Sequence, residues 1–446
     1  MPGCDGATFA KVERTVYDGV DGTGFFTMTA ESLKKDVGAA IDAMRAELLG
    51  LSHAIHGEPE LALEEFKAAA RLSDAVESHG IAVQRQAFGL ATAFAAEFGK
   101  PSGPNIAILS EYDALPGIGH ACGHNIIATS AYGAAMALSK LNGRLPGRVR
   151  YLGTPAEERF GGKEMMAREG AFEKVDAAMM MHPSSLNIVT MPCIAISEVE
   201  VVYHGLSAHA SAMPYRGLNA LDAVVTAYQT IAQLRQHIKP TERIHGIITE
   251  GGLAANIVPE RAACRFYVRA KDARELAPLK ARVHACFEAG ALATGCTVEI
   301  EWGITDYLDL KTNWPMAEAY KKNAVALGRE FFPLEQMPPG FAGSTDMGNV
   351  SHRVPSIHPM LAVAPPNVII HNPEFARWAA SDKGDDAVMD GAKSLAFTAI
   401  DVMCDAGLME TVKADFEATA ALSRQSVESI AAKGPGHHAH GGCGCA

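Results

Sequence analysis

Between residues 81 and 182 short apolar runs of strand length alternate with helix-like runs, and the runs that matter end in polar residues. IAVQRQAF, ATAFAAEF and NIAILSEY read as strands. IIATSAYGAAMALSKLN reads as a helix of small residues, VRYLGTPAEE as a strand running into a loop, and AAMMMHP as a short buried strand ending in His182. Strand and helix in this order predict a largely parallel, doubly wound sheet, because parallel neighbours need a crossover between them. Reactive groups of such sheets collect beyond the carboxyl ends of the strands. Leu109, Leu152 and Met181 stand near such ends, and polar residues follow each of them.

On either side of this region the rhythm differs. Residues 31–90 have apolar positions at helical spacing. From 196 to 308 the order is strand, helix, strand, strand, helix, strand, carried by ISEVEVVYHG, NALDAVVTAYQTIAQLRQHI, RIHGIITE, AACRFYVRA, DARELAPLKARVHACFEAGALAT and CTVEIEW. That is the ferredoxin-like pattern, and it predicts an inserted α+β unit. The expected fold is therefore α/β: a doubly wound mixed sheet from 31–195 and 309–420, interrupted by 196–308. The end, 421–446, reads as a low-complexity tail closing in HHAHGGCGCA, which could bind a metal ion or have no role.

The chain has 446 residues, enough for two or three units. With 48% hydrophobic and 20% charged residues it has the make-up of a soluble globular enzyme. A net charge of −12 without a basic block argues against nucleic acid as a partner. No apolar run is long enough to span a membrane, and the first 30 residues contain no export signal. Nine cysteines, an odd number, fit free thiols in a reducing cytoplasm better than a disulfide framework.

One cysteine stands in GHACGHN, residues 119–125, beside two histidines. Thiolate, imidazole and carboxylate together suit a zinc-like divalent ion. Cys122 and His124, two apart, could address one point. Glu157 and Glu158 end the strand VRYLGTP, His182 follows AAMMM, and His371 follows the apolar run APPNVII. Adjacent acids point in different directions, so one could bind metal while its neighbour holds a water. Each residue alone has a plainer reading: His182 as a satisfied core histidine, Cys122 as a small core residue, the acid pair as a solvated loop. Four strand ends each delivering a candidate is what lifts the set above those readings. His120 is expected to be supporting or structural.

EYDALPGIGHACGHN, GTPAEE, MMMHP, SAHASAMPYRGLNALDAV, GGLAANIVPE, GSTDMGNVS and HNPEF, in this order over residues 40–405, resemble the amidohydrolase branch of the dinuclear metallopeptidase family M20. CGHN and GSTD look most like its aminobenzoyl-glutamate hydrolase and dipeptidase subgroup. The resemblance implies two divalent metal ions per chain, zinc or manganese first, with cobalt or nickel as alternatives. It implies Cys122 as the bridging ligand, and His124, Glu158, His182 and His371 as terminal ligands. Glu157 would be the general base toward the attacking water and the leaving amine. The 196–308 unit would be a lid and dimerisation domain whose His209 reaches across a homodimer to the oxyanion. Asn256 and Arg269 are candidates for holding a substrate carboxylate, and Ser344 and Thr345 for lining the pocket. The implied substrates are small amides with a free carboxylate: N-acyl or N-aroyl amino acids, or dipeptides.

Three positions depart from the pattern. Arg159 and Phe160 replace glycines after the acid pair, where they could narrow the pocket or add charge, and Asn349 stands where Asp is expected. Two other readings stay open on sequence alone: a catalytically silent binding or regulatory homologue, and a cysteine-nucleophile hydrolase using Cys122.

Overall fold

The structure, a computed structural model, describes residues 29–338 and 342–431. Three helices come first: α1 (Ala30–Ala43), α2 (Arg45–Gly57) and α3 (Phe66–Ser78). In α1, Leu33, Val37 and Ile41 recur every fourth residue and are buried, each worth about 1.5–3 kcal/mol of transfer free energy. Thr29 caps the helix by accepting from the Ser32 N–H.

The chain then runs through β1 (Val83–Arg85), β2 (Phe94–Gly99), β3 (Asn105–Ser110), α4 (His124–Ser139), β4 (Arg148–Gly153), α5 (Gly162–Arg168), β5 (Ala177–Met179) and β6 (His182–Ser184). Then come β7 (Ala195–His204), α6 (Ala220–Leu234), β8 (Arg243–Glu250), β9 (Arg261–Ala270), α7 (Ala273–Thr294) and β10 (Thr297–Trp302). The last part holds α8 (Trp314–Ala326), α9 (Met347–Ser351), β11 (Ser356–Ile357), β12 (Met360–Ala362), α10 (Pro373–Trp378), α11 (Asp382–Cys404), α12 (Ala406–Glu417) and α13 (Ala420–Ala431).

A six-stranded mixed sheet runs β1-β2-β4-β3-β5-β11. β4, β3, β5 and β11 are mutually parallel, and β1 and β2 add an antiparallel edge. All six residues of β3 are buried, as expected for a strand covered on both faces. α4 is buried along nearly its whole length and packs on β3, α2 and α11; its Ala, Gly and Ser residues allow that close approach.

A separate four-stranded antiparallel sheet, ordered β10-β7-β9-β8, has its own hydrophobic cluster with α6 and α7. β7 alternates strictly between buried and partly buried residues, one face on that cluster and the other away from it.

Two local expectations change. No strand precedes His371: the run after Ala362 is a loop, because Pro365, Pro366 and Asn367 place turn-forming residues where a strand would need ladder hydrogen bonds. The acidic and alanine-rich stretch after 405 forms α12 and α13, so helix extends past 421; HHAHGGCGCA lies outside the described residues. Among the described residues no helix is long and apolar enough to cross a membrane, and the described cysteines are free.

Candidate metal centre and active site

The end of β3 delivers Glu111, Tyr112 and Asp113 into the interior, and the following turn brings His120, Cys122 and His124 beside them. Gly123 caps α4 with φ +79°, and a Cβ there would lie 2.5 Å from the Pro183 ring. Glycine therefore lets α4 begin at His124 hard against the His182 strand. Cys122 Sγ lies 3.3 Å from His182 Nε2, while His182 Nδ1 donates to the Pro183 carbonyl at 2.6 Å. That bond fixes the tautomer and turns the Nε2 lone pair toward the thiol.

Glu158 follows β4. Its Oε1 lies 3.7 Å from His124 Nε2 and its Oε2 lies 3.5 Å from His371 Nε2. His371 has φ +63°, uncommon for a non-glycine residue, and its N–H donates to the Ala121 carbonyl at 2.8 Å. This bond draws the loop against Cys122 without a strand. Cys122, His124 and His182 present donor atoms within 4.8 Å of one another, and so do Cys122, Glu158 and His371. The thiol is common to both groups. The five candidates read from sequence thus meet at one place, with Cys122 between them.

The electrostatics fit a cation. The Nε2 of His124, the Oε1 of Glu158 and the Oε2 of Glu111 are buried without hydrogen-bond partners. Burial raises Glu157 well above the carboxylate range, and Glu111, Glu158 and Asp346 add to it. Burial likewise raises Glu158, to about 7. Burial opposes a charge on His124, yet Cys122 and Asp113 outweigh it and raise that histidine well above its usual value. Beyond burial, the neighbouring carboxylates' part in these shifts marks a concentration of acidic groups that divalent ions would relieve. Burial also raises the Cys122 thiol far above its usual value, the opposite of what a free cysteine nucleophile needs.

Several groups that shape the site were missing from the sequence reading. Asp113 accepts from His124 Nδ1 at 3.0 Å and from the Glu158 N–H at 2.8 Å. Lys163, fully buried, bonds to Glu111 and, at 2.6 Å, to Asp346. Glu111, His124 and Glu157 form a third close group, and Lys163 is its internal counter-ion. His358 is buried with its ring 5.3 Å from His182. Glu111 and Asp113 lie in EYDALPG, directly ahead of the ligand turn; an acid pair at a buried strand end was their available signal. Nothing local marks Lys163, because its partners are 52 and 183 positions away. His120 is buried beside His56, ring centroids 6.1 Å apart.

The remaining candidates separate into two places. Arg269 Nη1 donates to Ser344 Oγ at 3.4 Å, and Ser344 donates to the Ile194 carbonyl at 2.8 Å. Burial lowers Arg269, and its Nε is buried and unpartnered. Thr345 accepts from the Met347 N–H, just ahead of α9. His209 and Asn256 are exposed on adjacent loops of the four-stranded unit. His209 Nδ1 accepts from the N–H groups of Ser211 and Ala212, which leaves the ring proton on Nε2. Among the described residues neither His209 nor Asn256 bonds to the metal-donor cluster.

The departures from pattern have structural partners. Arg159 lies over the Phe160 ring at 4.8 Å and shares Glu200 of β7, at 3.2 Å, with Arg265. Asn349 donates to Glu164 and to the Asp306 carbonyl and accepts from the Leu308 N–H. An aspartate could not make those two donations.

The description "Peptidase family M20/M25/M40" matches residues 107–397. The chain is 42% identical to a Xaa-Arg dipeptidase of Mus musculus, over 87% of this chain and 93% of that protein. It is 29% identical to one of the p-aminobenzoyl-glutamate hydrolase chains of Escherichia coli K12, over 83% and 92%. In fold it is similar to a dinuclear metal binding peptidase of the M20 family from Bacillus subtilis, with TM-score 0.61, 23% identity and coverage of 81% and 99%. The chain belongs to peptidase family M20/M25/M40 and is a metal-dependent hydrolase of amide bonds.

Proposed function

We propose that the chain hydrolyses the peptide bond of dipeptides, with a basic C-terminal residue as the first substrate class to test. The observation that carries the chemistry is Cys122 shared between two three-donor groups, with Glu157 beside them and outside both. His124 and His182 would hold one ion with Cys122, and Glu158 and His371 the other. Zinc or manganese suits this donor set, with cobalt or nickel as alternatives. When bound, such ions supply Lewis-acid activation of the attacking water and the scissile carbonyl.

The protein's own groups do the rest. Glu157 takes one proton from the attacking water and delivers it to the leaving amine nitrogen as the C–N bond breaks. The products are an acid and an amine, and the carboxylate is regenerated. Arg269, without a carboxylate partner among the described residues and placed on Ser344, would accept the substrate carboxylate, with Ser344 and Thr345 lining the approach and Asn256 entering, beside His209, from the other copy. His209 would reach the oxyanion from the other copy of a homodimer, and 196–308 would act as lid and dimerisation unit. Likeness to the Xaa-Arg dipeptidase over nine-tenths of its length supports the substrate class. Likeness to the aminobenzoyl-glutamate hydrolase chain supports a second reading, N-aroyl or N-acyl amino acids.

The test is a substrate panel on the metal-loaded chain, before and after chelation: Xaa-Arg, Xaa-Lys and Xaa-Ala dipeptides, N-acetyl amino acids and aminobenzoyl-glutamate. Chelator-sensitive cleavage led by Xaa-Arg or Xaa-Lys supports the first reading. Cleavage confined to the acylated amino acids replaces it with the second.

A further inference from the structure

The loop that carries Glu157 is strained and is held from both sides by residues outside the metal-donor set. Ala156 has φ +63°, and Phe160 and Gly161 follow at +79° and +71°. A left-handed conformation at Ala156 and Phe160 is disfavoured for residues with a Cβ and persists only where the surroundings enforce it. At Ala156 the enforcing group is Glu65. This carboxylate is fully buried; its Oε1 accepts from the Ala156 N–H at 2.8 Å and the Leu63 N–H at 3.0 Å. Its Oε2 accepts from the Thr92 hydroxyl at 2.9 Å. None of these donors is charged, so Glu65 is not there to balance a cation.

On the other side, the Tyr307 hydroxyl donates to the backbone carbonyl of Glu157 at 2.6 Å. Tyr307 also makes a reciprocal backbone pair with Ile196, both bonds 3.0 Å, where the chain leaves for the four-stranded unit and returns from it. Its ring covers Gly161, where a Cβ would come within 2.8 Å of it.

We propose that Glu65 and Tyr307 are positioning residues that clamp the Ala156–Glu157 backbone and so aim the Glu157 carboxylate at the donor cluster. The proposal rests on Glu157 being the base. Neighbouring Glu158 has a separate anchor, since its N–H donates to Asp113 at 2.8 Å. Loosening the clamp should therefore release the base more than the ligand.

The experiment compares Glu65→Ala, Glu65→Gln, Tyr307→Phe and the reference Glu157→Gln in the full chain loaded with manganese. Loss of one hydrogen bond in Tyr307→Phe should lower kcat roughly tenfold. Misplacement of the loop in Glu65→Ala should lower it roughly 100-fold. KM and metal content should stay at parent values, and amide exchange at 156 and 157 should quicken in both while that at 158, held by Asp113, changes little. Glu65→Gln should recover most of the loss: its amide oxygen can still accept both N–H groups, and the Thr92 hydroxyl can turn to accept from the amide.

Parent-like kcat in Tyr307→Phe and Glu65→Ala beside an inactive Glu157→Gln would overturn the clamp alone. Metal loss that tracks the loss of kcat would reduce both residues to structural support and overturn it equally. An active Glu157→Gln would remove the base reading, and the clamp's purpose with it.

Discussion

Asp113 holds His124 with one carboxylate oxygen, at 3.0 Å from Nδ1, and the Glu158 backbone N–H with the other, at 2.8 Å. A single buried carboxylate thus orients one candidate ligand from each side of the site. It accepts the His124 Nδ1 proton and leaves Nε2 free for a metal ion, the usual service of a carboxylate behind a ligating histidine. Asp113→Asn should weaken metal affinity roughly 10–100-fold, read by competition with a chromophoric chelator. Unchanged affinity would remove Asp113 from the site's architecture.

Cys122 is the atom both donor groups share. Cys122→Ala should bind fewer metal ions per chain than the parent, measured by elemental analysis after gel filtration. A full complement in that variant would end the bridging assignment.

Glu157 stands outside both groups that share Cys122. Glu157→Gln should keep its metal and lose turnover by about 10²–10⁴-fold, the range of a missing general base. The check is a joint one, kcat and metal content on the same preparation. Metal loss in this variant would recast Glu157 as a ligand.

Arg269 is half-buried, its Nε has no partner, and Ser344 steadies one terminal nitrogen. A charged hydrogen bond to a substrate carboxylate is worth about 1.5–3 kcal/mol, so Arg269→Met should lower kcat/KM roughly 10–100-fold on dipeptides. C-terminally amidated dipeptides should be indifferent to the change. Equal losses on both substrate forms would mean that Arg269 does not read the carboxylate.

Burial raises Glu65 from 4.5 to about 7, and the nearby Asp113 carboxylate adds to the effect. Between those values the folded chain holds a proton that the unfolded chain has released. The group's contribution to stability is therefore full below about pH 4.5 and is lost as pH rises through about 7. Glu65→Gln, neutral at every pH, should gain on the parent by up to about 3 kcal/mol between pH 4.5 and pH 8. Chemical denaturation of both proteins at the two pH values measures the gain, and a difference independent of pH would refute it.

Much of this was legible along the chain because it is local. Hydrophobic period distinguishes α1 from β3. Glu157 and Glu158 lie within a few residues of the end of β4, and His182 within a few residues of the end of β5. Cys122 and His124 stand out by residue type and spacing, and the resemblance adds their ligand roles. His371 shows the limit: its apolar run looked like a strand, and the loop reaches the site through one backbone bond to Ala121.

Only the tertiary structure decided which side chains stand behind those candidates. Glu65, Tyr307 and Asp346 meet the base loop and the adjoining Lys163 from distant parts of the chain, and no local pattern ties a buried carboxylate to an N–H 91 positions away. The same holds for Arg269 and Asn256: the fold sets Arg269 on Ser344 and Asn256 beside the His209 loop. Ligand chemistry is a property of residue type and spacing, so the sequence carries it. Orientation, desolvation and counter-charge are properties of what packs around a residue, and only folding brings those groups together.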